Sequence, residues 1–94
     1  MRSRYSAFAV GDPAYLLATW HSTTRPRTVD LDPSVRWVGL EVLGTTGGGL
    51  LAAEGTVEFR AHHVADGVRG AQHENSRFVR EGGQWRYLDG VALP

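Results

Sequence analysis

The segment VEFRAH at residues 57–62 alternates strictly between apolar and polar side chains, and no other feature limits the fold so closely. Such alternation is typical of a strand that buries one face against a core and leaves the other in solvent. The dipeptide Asp66-Gly67 follows, and because both residues tolerate positive φ it predicts a tight hairpin turn. A second long strand is therefore expected to return antiparallel to the first.

Two more strands complete the expected sheet. The residue pattern predicts strands over residues 36–43, 50–63, 69–80 and 84–89. The GTTGGG segment at 44–49 predicts a loose connection, and Gly82-Gly83 predicts a turn before the last strand. Gly55 predicts a bulge or bend in the second strand. Together these segments predict a four-stranded antiparallel meander with one apolar face.

Two short helices are expected before the sheet. Apolar residues recur at helical spacing over residues 2–10 and again over 13–21. Between them, Gly11-Asp12-Pro13 combines a helix-ending glycine, a capping aspartate and a first-turn proline. A helical hairpin packed on a curved sheet gives an α+β fold in a single domain, residues 1–94, with a cavity between the two layers. The expected core residues are Val57, Phe59, Phe78 and Leu16 or Leu17.

The composition narrows the classes of function. Ten basic and ten acidic residues give a formal charge of zero, which does not favour nucleic acid or an anionic membrane as a partner. No cysteine is present, which excludes disulfides, thiolate zinc sites and cysteine nucleophiles. No apolar run approaches the roughly 18 residues of a membrane span, and no signal-peptide pattern opens the chain. We therefore expect a cytoplasmic protein.

Eight residues at the expected helix exit, TWHSTTRP at 19–26, concentrate aromatic and polar groups. In a structural interpretation, Trp20 packs toward the sheet and His21 lies in the last helical turn, where its ring donates to unpaired carbonyls. Pro26 then prevents the helix from resuming. In a functional interpretation, His21 projects into the mouth of the cavity and contacts a ligand. We favour the structural interpretation.

Few side chains could carry chemistry in such a cavity. The candidate pocket residues are Tyr5, Tyr15, Trp20, His21, Phe59, His73, Glu74 and Trp85. His62 and His63 point to opposite faces of a strand, and a His62–His73 pair across the hairpin lacks a third ligand. We therefore expect neither a metal nor another cofactor. Glu74 and Arg77 are expected to form structural ion pairs with neighbouring charges rather than a catalytic pair.

Five segments of the chain, taken together, resemble the bacterial YchJ-like proteins: MRSRYSAF, YLLATWH, WVGLEVL, GTVEFRA and HENSRFVREGGQWRYLDG. The resemblance runs from Met1 to about Gly90 and implies a cone like that of nuclear transport factor. It also implies flanking SEC-C segments, which are cysteine-rich and bind zinc. Because this chain has no cysteine, it is either a domain cut from a longer protein or a natural short form. Met1 lies inside the family's LMRSRYSAF segment, where a helix should already have begun, so we expect truncation or a misassigned start. The resemblance implies no established activity.

Two classes of function remain open. The first is a non-enzymatic module that binds a small molecule or a protein. The alternative is a small enzyme, a hydrolase, isomerase or dehydratase, that uses His21 or Glu74 as general base. An open cavity with a titratable group that has no ion-pair partner would favour the enzyme, and a cavity closed by packed aromatic residues would exclude it.

Self-association through the outer face of the sheet is a further expectation. Trp37, Trp85 and Tyr87 lie on predicted strands, and we do not expect all three to face one interior. Comparable cones often dimerise through this face, which is an argument by fold analogy alone. The expected assembly is therefore a homodimer.

Overall fold

The computed structural model describes residues 1–49 and 51–94, which form two helices followed by four strands. The elements are α1 (Arg2–Val10), α2 (Pro13–Ala18), β1 (Val35–Gly47), β2 (Glu54–Ala65), β3 (Val68–Glu81) and β4 (Gln84–Ala92). All strands pair antiparallel in the order β1-β2-β3-β4. The predicted α+β class and four-stranded meander are confirmed.

The two helices meet at the predicted corner, Gly11-Asp12-Pro13. Gly11 ends α1 at a φ of 75°, in the left-handed region that glycine adopts without strain. Asp12 caps α2, because its side chain accepts a hydrogen bond of 3.1 Å from the backbone N–H of Tyr15. Pro13 occupies the first helical position, where its missing N–H costs nothing. Local sequence therefore determines this corner.

The predicted end of α2 at residue 21 is wrong, because the helix ends at Ala18. The next residues pair with β4 instead: the Tyr87 N–H donates to the Thr19 carbonyl (2.8 Å), and the His21 N–H donates to the Tyr87 carbonyl (2.7 Å). These bonds satisfy backbone groups that a longer helix would have used internally. The helix is therefore shortened by a tertiary contact.

The strand boundaries also depart from the prediction. β1 continues through the expected connection to Gly47, because Thr45 and Thr46 pair with β2. β2 begins at Glu54, and its predicted start at Leu50 lies outside the described residues. No bulge occurs at Gly55. Its pairing is regular on both sides, and a Cβ there would lie only 3.0 Å from the Gly48 nitrogen.

The core lies between the helices and the inner face of the sheet. Its buried apolar residues are Ala7, Leu16, Phe59, Ala61 and Phe78. Leu16, Phe59 and Phe78 confirm the prediction, whereas Val57 is only half-buried. Two polar side chains share this environment, Arg4 (4% exposed) and Ser76 (1% exposed). A core this small makes each aromatic residue important for stability.

Replacing Phe59 with alanine is expected to destabilise the domain by about 3–5 kcal/mol, because the ring is buried and its removal leaves a larger void. Urea unfolding followed by tryptophan fluorescence would measure the change. Leu51→Ala is the control, because Leu51 is 98% exposed and its truncation should change stability by about 0.5 kcal/mol or less. Equal effects of the two substitutions would contradict the assigned core.

Candidate functional site

A cavity of about 120 Å³ lies between α1, the residues after α2 and the inner face of the sheet. We call it the central cavity. Most of its surface is apolar. Its lining residues are Met1, Arg4, Tyr5, Phe8, Trp20, Trp37, Phe59, Ala61, Gln72, Glu74, Ser76 and Tyr87.

Arg4 is the buried cation of the central cavity. Its Nη1 donates to the Leu16 carbonyl at 2.9 Å and to the Thr19 hydroxyl at 2.6 Å. The guanidinium carbon also lies 5.1 Å from the Trp20 ring centre and 4.6 Å from that of Tyr87. Burial lowers the pKa of Arg4 from its ordinary value, partly offset by Tyr87 and Tyr15, yet the group stays charged. Among the described residues, its Nε and Nη2 have no hydrogen-bond acceptor.

The opposite charge in the cavity comes from Glu74, which alternates with Ser76 on the inner face of β3. The Ser76 hydroxyl lies 3.4 Å from the Glu74 carboxylate. No arginine or histidine nitrogen among the described residues lies within ion-pair distance of that carboxylate. The ion pair predicted for Glu74 is therefore absent among the described residues.

The Tyr87 phenol is affected by the charges of both Arg4 and Glu74. Burial raises the pKa of its phenol, Glu74 raises it further, and the charge of Arg4 opposes both effects. A Cβ built on Gly90 would lie 2.9 Å from Glu74 Oε2 and 3.2 Å from the Tyr87 hydroxyl, so both groups flank one position. A larger residue than glycine would crowd them at this position.

Edge-to-face contacts between aromatic rings form the remaining wall of the central cavity. Trp37 on β1 makes edge contacts with Tyr5, Phe8 and His63, at centroid distances of 6.5, 6.2 and 5.3 Å. Trp20 meets Tyr87 edge-on at 5.0 Å, and its indole N–H is buried without a hydrogen-bond partner among the described residues. Such contacts fix α1 against the sheet while leaving ring surface toward the cavity.

The structure brings together four of the eight predicted pocket residues: Tyr5, Trp20, Phe59 and Glu74. The other four lie outside the central cavity. Tyr15 is 37% exposed on α2, and Trp85 packs against the Arg80 guanidinium at 4.5 Å. His73 is on the outer face of the sheet, where its Nε2 contacts Glu58 at 2.6 Å.

His21 also points away from the cavity. Its Nδ1 lies 2.8 Å from the Thr23 hydroxyl, and its Nε2 lies 3.7 Å from Glu81. The prediction that its ring caps α2 is wrong, because α2 ends three residues earlier. Ser22 also binds Glu81, and Thr24 donates to the Leu88 carbonyl at 2.6 Å. The TWHSTTRP segment thus binds to the ends of β3 and β4. Its role is structural, as expected, but it acts through contacts with the sheet rather than by capping α2.

The outer face of the sheet pairs histidines with carboxylates. His62 Nε2 lies 2.5 Å from Glu41, and His73 binds Glu58, so the expected His62–His73 pair does not form. No group of three or more potential metal-ligating side chains occurs in residues 1–49 and 51–94. None of the helices described is long and apolar enough to cross a membrane.

The three aromatic residues behind the dimer prediction lie on one face of the sheet. Trp37 and Tyr87 both line the central cavity, and Trp85 shares its strand face with Tyr87. All three therefore face the same side of the sheet. Self-association through the outer face stays a prediction without support from these residues.

Sequence reasoning did not select Arg4, Ser76 or Tyr87. Two signals could have found them: Arg4 precedes Phe8 by one helical turn, and Ser76 lies between Glu74 and Phe78 at strand spacing. The second signal applied to Tyr87 as well, because strand spacing places it on the same face as the predicted pocket residue Trp85.

Comparison with known proteins identifies close relatives. The family model described as the middle NTF2-like domain of YchJ matches residues 1–90. A UPF0225 protein of Streptomyces avermitilis is 57% identical over 90 residues, which cover 96% of this chain and 61% of that protein. A UPF0225 protein of Streptomyces coelicolor is 53% identical over 93 residues, covering 99% of this chain and 72% of that protein. The chain thus spans only part of the length of these relatives.

Solved structures share the fold. The solution structure of a SEC-C motif containing protein from Rhodopseudomonas palustris matches with a TM-score of 0.85 at 33% identity, covering 100% of this chain and 76% of that chain. The crystal structure of a SEC-C motif containing protein from Psychrobacter arcticus gives a TM-score of 0.75 at 29% identity, with coverages of 100% and 59%. These similarities extend over the whole helical and sheet architecture described above.

His21→Gln is expected to lower the melting temperature by about 1–5 °C, because it removes partly exposed contacts to Thr23 and Glu81. Ligand binding in the central cavity should not change. Thermal unfolding and a binding titration would measure both properties. Arg27→Gln in the same exposed segment is the control, and loss of binding with unchanged stability in His21→Gln would contradict the structural role.

Acid is expected to destabilise the domain below about pH 4. Three exposed carboxyl groups have lowered pKa values because each accepts a side-chain hydrogen bond. Asp89 accepts from Arg77, and Glu41 accepts from His62. Glu81 accepts from Ser22. Carboxyl groups whose folded-state pKa is lowered stabilise the fold above their unfolded value near 4, and this contribution is lost as the pH falls through the folded-state pKa. Melting temperatures from pH 7 to pH 3 would test this, and high salt should weaken the effect. A melting temperature that rises with acidification would contradict it.

Proposed function

The chain belongs to the family of the YchJ middle NTF2-like domain, and we propose that it is a non-enzymatic module that binds a small molecule in its central cavity. One observation carries the proposal: an aromatic cavity contains a carboxylate, that of Glu74, with no basic partner among the described residues. A structural carboxylate at such a position would ordinarily be paired.

The size and lining of the cavity support a small ligand. A cavity of roughly 150 Å³ lined by apolar side chains can hold benzene, and the central cavity, at about 120 Å³ and partly open to solvent, can hold most of such a ring while the rest of a ligand extends through the opening. Small-molecule sites combine mainly apolar walls with a few polar groups that fix orientation. Here those polar groups belong to Arg4, Gln72, Glu74, Ser76 and Tyr87. A protein partner would need a broader surface than this concave site offers.

Binding is favoured over catalysis because the polar groups do not form a recognisable catalytic set. In the part of the chain that the structure describes, all four histidines lie outside the lining of the central cavity. His21 is therefore no longer a candidate base. The cavity is partly open to solvent, and its carboxylate has no ion-pair partner among the described residues, which is the arrangement expected above to favour an enzyme. One enzyme alternative therefore persists, with Glu74 as general base and the Tyr87 hydroxyl as hydrogen-bond donor.

The test is a fragment screen against this chain, followed by ¹H–¹⁵N NMR. Binding should shift signals of the cavity-lining residues and should weaken at least about tenfold in Ala61→Leu, which fills the cavity from its wall. Ala71→Leu is the matched control, because it makes the same change at an exposed position on β3 outside the cavity. Fragments that bind only elsewhere, or equally to both variants, would refute the proposal.

The enzyme alternative has a separate readout. Fragments that bind in the central cavity would be incubated with the domain and followed by mass spectrometry for conversion. Turnover that disappears in Glu74→Gln while binding persists would favour the enzyme over the binding module. Binding without any conversion would favour the module.

A further inference from the structure

The geometry points to a particular ligand class: a small, net-neutral molecule that carries a dipolar group such as a carboxamide on an aromatic or other apolar body. Its carbonyl would accept from Arg4, and its N–H would donate to Glu74. This inference rests on the proposed function and specifies which chemistry the central cavity selects.

The donor in the central cavity is Arg4, which is 4% exposed and forms hydrogen bonds within the fold through Nη1, to the Leu16 carbonyl and the Thr19 hydroxyl. The remaining guanidinium donors on Nε and Nη2 have no acceptor among the described residues, although Arg4 lines the cavity. A buried cation with unused donors favours an acceptor oxygen on the ligand.

The acceptor in the central cavity is the Glu74 carboxylate, whose Oε2 receives only the weak contact from Ser76, at 3.4 Å. Each carboxylate oxygen has two lone pairs, so both oxygens keep acceptor capacity. A ligand N–H would donate a hydrogen bond to this carboxylate, just as the ligand carbonyl would accept a hydrogen bond from Arg4.

Arg4 and Glu74 are the charged side chains among the described lining residues, and their charges cancel formally without an ion pair between them. Met1 also lines the cavity, and burial, with a further contribution from Arg4, lowers the pKa of its amino group and so favours the uncharged form. A ligand with a net charge would leave one uncompensated charge in a small cavity, and that is unfavourable. A neutral dipolar ligand instead binds both groups and leaves the net charge of the cavity unchanged. The aromatic edges of Tyr5, Phe8 and Trp37 then provide the surface for the apolar body.

Four probes on one ring test the inference: benzamide, benzoate, benzylammonium and toluene. NMR titration of this chain should give the tightest binding for benzamide, at least about tenfold tighter than toluene, because a hydrogen bond to a charged group is worth roughly that factor or more. Equal or tighter binding of toluene, benzoate or benzylammonium would overturn this inference and leave the proposed function intact. If none of the four shifts the cavity-lining signals, the proposed function fails with it.

A charge-changing variant makes the test sharper. Glu74→Gln removes the carboxylate from the described lining of the central cavity and leaves the Arg4 guanidinium and the Met1 amino group, so benzoate should gain about tenfold relative to benzylammonium. Glu54→Gln, at an exposed position on β2 outside the cavity, is the matched control and should leave this ratio unchanged. Because Arg4 holds both helices, its variants can unfold, and Glu74→Gln keeps the inference testable without them. An unchanged ratio in Glu74→Gln would overturn the inference.

Discussion

The buried guanidinium of Arg4 is the interaction on which the arrangement of helices and sheet depends. It extends from α1 to the carbonyl of Leu16 and the hydroxyl of Thr19, and so joins the first helix to the end of the second. The guanidinium also lies over the rings of Trp20 and Tyr87, and Tyr87 belongs to β4. Burying an unpaired cation is costly, and here hydrogen bonds and aromatic faces compensate where no carboxylate does. The same group that fixes the helices therefore also determines the electrostatics of the cavity.

The sheet register explains why the polar side chains of the sheet reach the cavity from β3. The β2 residues that line the cavity, Phe59 and Ala61, are apolar, whereas Gln72, Glu74 and Ser76 occupy three successive inward positions of β3. Moving the register by one residue would place them on the outer face among the His–Glu pairs. The fold keeps them inside because Phe59 and Phe78 on the same face are buried. The position of the polar groups thus follows from the packing of their apolar neighbours.

Much of the architecture could be predicted from sequence, because it depends on local signals. Gly11-Asp12-Pro13, the Asp66-Gly67 turn and the alternation at 57–62 act over a few residues, and the structure follows them. The site was predicted only in part. His21 was misplaced because the end of α2 depends on pairing with Tyr87, a contact 66 residues away in sequence that no local pattern reports. Arg4 was overlooked as a site residue because arginine is ordinarily exposed.

The register shifts in β1 have a consequence for how the molecule behaves in a crowded solution. β1 is an edge strand, and its pairing with β2 is interrupted between Trp37 and Gly39 and again between Val42 and Gly44. An uninterrupted edge with exposed apolar residues such as Val38 and Leu43 would offer a template for strand addition by another chain. Bulges twist and break such an edge. At the opposite edge, the backbone of residues 19–21 already occupies the hydrogen-bonding groups of Tyr87. The meander thus restricts edge-to-edge aggregation on both sides by its backbone geometry.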